Sequence, residues 1–372
     1  MCDYDVYVGT ARGALVYSQC TPNVKSKYEL KNLKGEVTAL EWTNKEHELA
    51  VGFDTGQVSI YNTAQNEYTK HLRELEGEGP VVGIGCHNNS FIVGRENGIV
   101  NIWNGKENQT FKVPLNEGNV PMYCMAYNKN TKVFATGGEN NGLKVWDAEK
   151  LKPVFKAASL GRDFLDLHIR VSVRSLTFFP NEDHIIGCAT KEGMVLLYDT
   201  RVKDKMPVCK YTEEKASYTV IAAGQKDRQC FVGTTKGFLQ LIDMSKPKAK
   251  PIRTLKCFTG SVTGVTSIGF GSVATICLDR YLRIHNIDTK ELYFKEYMKM
   301  NLTKIVAKPR IKEEPKEEDE GEVIETVEDR EYSKLFDDME IITEDNEEAP
   351  KKLKRKTKTK LNSRKKMKKN SD

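Results

Sequence analysis

The sequence predicts an all-β fold, a seven-bladed β-propeller followed by a charged tail. Three observations carry that expectation. One strand–turn–strand pattern recurs seven times in the first 290 residues. Its copies keep a nearly constant spacing. Beyond about residue 310, apolar patterning gives way to runs of charge.

The copies read "YVGTARGALVYS", "AVGFDTGQVSIYN", "IVGRENGIVNIWN", "FATGGENNGLKVWD", "IGCATKEGMVLLYD", "FVGTTKGFLQLID" and "ATICLDRYLRIHN". Their turns end at Gly13, Gly56, Gly98, Gly142, Gly193, Gly237 and, in the last copy, Tyr281, at spacings of 43, 42, 44, 51, 44 and 44. A period of ~40–45 residues is that of a four-stranded propeller blade. Glycine suits the turns because it takes positive φ without steric cost. The flanking runs alternate Val, Ile, Tyr and Phe with small or polar residues, as strands do.

Each later copy is preceded by another strand candidate: "VTALEW", "VVGIGC", "PMYCMAY", "VRSLTFF", "YTVIAAG" and "VTGVTSIGF". A more polar strand such as "YTKHLREL" follows, giving four per blade. The first copy lacks the preceding strand, and the chain supplies a spare one, "NLTKIVAKP", after the seventh. Residues 302–308 are therefore expected to pair with residues 4–9 and close the ring, which leaves no open edge between first and last blades.

Within the 372 residues, the propeller is assigned to 1–309, an acidic linker to 310–350 and a basic tail to 351–372. Glu313 to Glu348 carries 18 acidic residues against three basic; Lys351 to Lys369 carries 12 basic and none acidic. Such segments bury too little apolar surface to fold alone. Within the linker, "YSKLFDDMEII" reads either as a short motif that orders on a partner or as part of a spacer. Lys351, Lys352, Lys354, Arg355, Lys356, Arg364, Lys365, Lys366, Lys368 and Lys369 are assigned to nuclear localisation or RNA contact, the latter through phosphates and without sequence preference.

Nothing in the sequence points to catalysis. It holds no P-loop, GxSxG or HExxH, and the Gly-rich stretches fall on hairpin turns rather than between strand and helix. The nine Cys are widely spaced without a CxxC, which reads as core thiols in a reducing compartment rather than disulfides or zinc ligands. No cofactor or metal is expected. No stretch approaches the ~18 consecutive apolar residues of a membrane span, and the N-terminus lacks the basic and apolar regions of a secretory signal.

Trp146-Asp147 in "KVWD", with the seven-copy spacing, resembles a WD-repeat propeller. The usual Gly-His pair survives only as degenerate "GEV", "GNV" and "GSV" openings, so its hydrogen-bond network is expected to be weak. Residues 135–147, 162–180 and 277–305 further resemble the nucleolar WD-repeat family that assembles the large ribosomal subunit. That resemblance implies a non-enzymatic factor on nucleolar pre-ribosomal particles, a monomer within a large assembly. It also implies handling by an AAA-type ATPase and contact with the exosome helicase system. The alternative is a WD-repeat substrate receptor or scaffold in a ubiquitin-ligase or chromatin complex.

In a propeller the seven turns share a face with the loops joining successive blades. The turns carry Arg12, Asp54, Arg95-Glu96, Glu139, Lys191-Glu192, Lys236 and Asp279-Arg280. The 51-residue spacing places an insert, "GRDFLDLHIR", on the same face between blades 4 and 5. Partner binding is therefore assigned to Arg162, Asp163, Phe164, Leu165, Asp166, Leu167 and Arg170 of the insert, with Arg12, Arg95, Lys191, Lys236 and Arg280 of the turns. For the insert the alternative is a strut packed on the rim; for each turn it is an ordinary solvated hairpin.

Overall fold

The computed structural model describes residues 4–21, 24–29, 35–72, 75–87, 90–105, 108–115, 120–246, 248–256, 259–269 and 271–309. The chain divides into two units, Met1–Ile311 and Lys312–Asp372, the second outside the described residues. The readings of the acidic linker and of Lys351 to Lys369 lie outside them as well.

Among the described residues every regular element is a strand, and the strands form seven four-stranded sheets. In blade 2, for example, the order from inside out is Val37–Trp42, Glu48–Phe53, Val58–Asn62 and Glu67–Leu72. Blade 1 alone is assembled from both ends of the ring. Its inner strand, Leu302–Pro309, pairs antiparallel with Tyr4–Thr10, with Val8 opposite Ile305 and Tyr4 opposite Pro309. Leu302–Pro309 then packs against the inner strands of blades 7 and 2, which closes the circle.

The sequence pattern explains how blades stack. The second strand of each blade is apolar on both faces, so alternate residues serve alternate neighbours. Leu49, Val51 and Phe53 enter the cluster shared with blade 1, whereas Ala50 enters the cluster shared with blade 3. Each of the seven interfaces between blades holds one such buried cluster. Outer strands are half exposed, as their polar composition requires.

Five turns follow the expected glycine rule, with Gly13, Gly56, Gly98, Gly193 and Gly237 at positive φ, and the structure corrects the other two. In blade 4 the left-handed residue is Asn140 (φ 44°), and Gly142 lies within the strand Asn141–Asp147. In blade 7 it is Arg280 (φ 67°), one residue before Tyr281. Asparagine tolerates this region through its short polar side chain, whereas arginine must be held there by the surrounding turn.

Every inner strand also carries a bulge at its second residue. The register skips Thr303, Thr38, Val82, Tyr123, Arg174, Thr219 and Thr263. At three consecutive blades the bulged threonine reaches the next blade: Thr219 Oγ1 donates to the Val262 carbonyl (2.6 Å), Thr263 Oγ1 to Leu302 (2.9 Å) and Thr303 Oγ1 to Val37 (2.5 Å). These bonds run from blade 6 through 7 and 1 to blade 2, across the seam where the ring closes.

Candidate interaction face

One repeated hydrogen bond builds the face. In each blade, the first residue of the turn between second and third strands donates its N–H to the loop entering that blade's inner strand. The pairs are Ala11 to Asn301, Asp54 to Glu36, Glu96 to Pro80, Glu139 to Pro121, Lys191 to Ser172, Thr235 to Ser217 and Leu278 to Ser261, all 2.9–3.1 Å apart. Turns and inter-blade loops are thereby held as one surface.

The insert between blades 4 and 5 is a small closed hairpin on that surface. Arg162 and His168 form an isolated antiparallel bridge, and Ile169 N–H donates to the Gly161 carbonyl at 3.1 Å. Asp163 shapes the tip: its Oδ1 accepts the N–H groups of Leu165 (2.9 Å) and Leu167 (3.0 Å). Asp166 occupies the left-handed region (φ 61°), and its carboxylate pairs with Arg162 at 2.8 Å. Leu160, Ile169 and Val171 anchor the base on the core between blades 4 and 5. The tip points the other way: Phe164 is 94% exposed, and Leu165 and Leu167 are each 61% exposed. A strut would bury these groups. Here the polar backbone is satisfied internally while three apolar side chains remain in water, a combination suited to docking.

Beside the hairpin lies a polar cluster that sequence reasoning did not single out. The Arg174 guanidinium stacks 4.1 Å from the Tyr123 ring centroid. Tyr123 donates its hydroxyl to Glu139 Oε2, and Lys191 Nζ lies 3.6 Å from Glu139 Oε1. The Tyr123 hydrogen bond, with Lys191 assisting against some desolvation, holds the Glu139 carboxyl below its ordinary range. Ser172 and Glu192 complete the connection, since Ser172 N–H donates to Glu192 Oε2 (2.9 Å) and Ser172 Oγ accepts from Asn140 N–H (3.1 Å). Tyr123 and Arg174 are both bulge residues, and the repeat of that position was the signal available in the sequence.

The remaining assigned residues divide. Arg170, Lys191, Lys236, Arg12 and Arg280 are exposed on this face. Arg280 is held at Asn301, whose Oδ1 accepts from Arg280 Nε (3.1 Å) and whose carbonyl accepts the N–H of Ala11, the residue before Arg12. Arg95 is different: it is buried, and its guanidinium donates to the carbonyls of Gly56 (2.8 Å) and Gly77 (2.9 Å). Its expected role in partner contact is corrected to that of a brace between blades 2 and 3. Asp279 is likewise turned inward, its side chain 9% exposed, in a two-bond pair with buried Arg283 (2.6 and 3.0 Å). The inner strands line an open cavity of about 350 Å³, whose wall includes Arg174, Lys304, Glu41 and the bulge threonines Thr38, Thr219 and Thr263. Among the described residues no cluster of His, Cys, Asp and Glu has the geometry to hold a metal ion.

Known proteins share this design. The model of the anaphase-promoting complex subunit 4 WD40 domain matches residues 6–86, and that of the WD domain, G-beta repeat, matches residues 105–147. WD repeat-containing protein 74 of Mus musculus is 30% identical over 273 residues, 72% of this chain and 70% of the relative. The chain belongs to this WD-repeat family. The Bos taurus protein of the same name is 29% identical over 313 residues, 82% of this chain and 80% of its own length. The ribosome biogenesis protein NSA1 of Meyerozyma guilliermondii is 26% identical, covering 47% of this chain and 52% of its own. A chain of the mitotic checkpoint complex crystal structure matches at TM-score 0.64 and 13% identity, over 76% of this chain and 87% of that one, which shows the fold alone. The WD signature itself is retained in blade 4, where Trp146 Nε1 donates to Thr136 Oγ1 at 3.1 Å.

Proposed function

We propose that this WD-repeat chain is a non-enzymatic scaffold in nuclear, nucleolar assembly of the large ribosomal subunit. It holds pre-ribosomal proteins through the face that carries the hairpin. The observation that carries this reading is the hairpin itself: a preformed loop, braced at its base, presenting Phe164, Leu165 and Leu167 to solvent between Arg162, Arg170 and Lys191. Burying one such side chain on a partner contributes ~1.5–3 kcal/mol, so three of them make an anchor of the kind that dominates protein interfaces. The name of the NSA1 relative supports the ribosomal direction. In this reading the basic tail contributes nuclear import and pre-rRNA contact, and an AAA-type ATPase and the exosome helicase system act on the chain within the particle.

A second reading is favoured by one specific observation, the match of residues 6–86 to an anaphase-promoting complex subunit model. In it the chain is a receptor or scaffold of a ubiquitin ligase, and the cavity lined by the inner strands binds the substrate. Affinity purification of a tagged full-length chain from nuclear extract separates the two. Recovery of pre-rRNA and large-subunit proteins supports the first reading. Recovery of ligase subunits without them replaces it with the second.

A further inference from the structure

The outer rim of blades 5 and 6 brings Lys210 to a local run of three lysines, Lys246, Lys248 and Lys250. Lys210 belongs to the outer strand of blade 5, Cys209–Thr212. Lys248 lies in the loop before the outer strand of blade 6, Lys250–Leu255, and forms an isolated parallel bridge with Lys210. The same loop is fixed to blade 5 by Cys209 Sγ, which donates to the Lys246 carbonyl at 3.0 Å. The local sequence, Lys246-Pro247-Lys248-Ala249-Lys250-Pro251, alternates long cations with small or cyclic residues. Ala249 packs toward the cluster between blades 5 and 6, so Lys248 and Lys250 project outward.

All four lysines, 210, 246, 248 and 250, are exposed, and none makes an ion pair among the described residues. From Met244 to Leu255 the chain carries Lys246, Lys248, Lys250 and Arg253 and no acidic residue. Asp243, paired in register with Lys250, accepts Ser245 N–H on Oδ1 at 2.9 Å and is also stabilised by the Lys246 charge, so this single carboxylate offsets only part of the charge of the four lysines. Arg253 is engaged with the Asp288 carbonyl and carboxylate, and Arg201 with Asp199, so the available charge is lysine charge. Like charges collected on one surface repel each other until a polyanion neutralises them.

We infer that this rim binds the phosphate backbone of RNA, at a surface separate from the hairpin face. Lysine rather than arginine supplies the charge, which fits point contacts to phosphates and not bidentate or stacked recognition. Protein interfaces are depleted in lysine and built on aromatic or arginine anchors, and this rim offers neither. Val208 and Ile252, each two residues from a rim lysine, are exposed at 43% and 46%. The inference rests on the scaffold reading for its biological setting, and it gives the ring two working surfaces, one for protein and one for RNA.

The test uses the full chain and a Lys210→Gln, Lys246→Gln, Lys248→Gln, Lys250→Gln variant, with labelled single-stranded oligouridylate read by fluorescence anisotropy over a salt series. Four lost phosphate contacts at ~0.7 each make the slope of log K against log salt shallower by ~3. An unchanged slope and affinity overturn the inference. So does a variant that keeps its RNA binding but loses polyglutamate binding, since the rim then serves an acidic protein segment. If the variant does not fold, RNA crosslinking to the native chain decides: crosslinks at 210 and 246–250 support the rim, and crosslinks found only elsewhere overturn it. A Phe164→Ser, Leu165→Ser chain separates the two proposals, because failure of the hairpin reading leaves its RNA slope untouched.

Discussion

At position 95 the chain spends a guanidinium on two backbone carbonyls, and that choice constrains a glycine in the neighbouring blade. Gly56 has φ +82°, and a Cβ added to it would fall on the Arg95 guanidinium. Gly56→Ala therefore combines backbone strain with loss of the brace, and urea denaturation is expected to show a loss of ~2 kcal/mol or more. Arg95→Met leaves both carbonyls unpaired and is expected to cost a similar amount. Read as sequence, Arg95 resembled the other basic turn residues; its inward direction follows from its place as the last residue of the strand Ser90–Arg95, which periodicity alone does not orient. A second residue-scale expectation concerns acid. His285 is buried, and desolvation, with Arg283 adding, pushes its pKa down to about 4. As pH falls below its ordinary value of ~6.5, the unfolded chain takes the proton first, so stability declines between ~6.5 and ~4, by on the order of 3 kcal/mol. His285→Gln is expected to flatten that slope in pH-dependent denaturation. Burial opposes ionisation of Asp279, but the Arg283 and backbone hydrogen bonds outweigh it and hold its pKa low. Its contribution is present above the ordinary carboxylate range and is lost only at still lower pH, after that of His285.

Among elements, the insert was legible in outline. A spacing of 51 among values of 42–44 located it, and the apolar residues of "GRDFLDLHIR" marked it as unusual. What spacing does not reveal is which of those residues turn inward. Ile169 packs at the base, while Phe164, Leu165 and Leu167 stay in water because Asp163 closes the tip around itself. Asp163→Ala should therefore leave the melting temperature of the ring almost unchanged, since surface changes are usually within ~0.5 kcal/mol. The same change frees the tip to adopt many conformations and is expected to weaken partner capture, as read by pull-down with the tagged chain. The Tyr123–Arg174–Glu139 cluster escaped notice because its members are far apart in sequence and meet only when blades 4 and 5 stand side by side. In the lysine rim, Lys246, Lys248 and Lys250 are neighbours in sequence, but Lys210 joins them only when blades 5 and 6 meet.

For the molecule as a whole, the seven-fold period and the spare strand at residues 302–308 were enough to foresee the ring and its closure. The means of holding that closure were not, because the bulge threonines look like ordinary strand residues. Thr219, Thr263 and Thr303 each donate to the next blade, whereas Thr38 reaches only Gly52 in its own blade, at 3.4 Å. Replacing the first three together by Val is expected to cost ~3 kcal/mol in urea denaturation, at ~1 per bond, and Thr38→Val distinctly less than any one of them. A stable, closed ring is what allows the hairpin to be presented rigidly to a partner. The central claim is that this hairpin docks the chain on large-subunit precursors. Its most direct measurement is co-sedimentation of a full-length Phe164→Ser, Leu165→Ser chain with pre-ribosomal particles from nuclear extract, alongside its thermal melt. The account predicts an unchanged melt and loss of the chain from the particle fractions; an unchanged melt with undiminished co-sedimentation contradicts it.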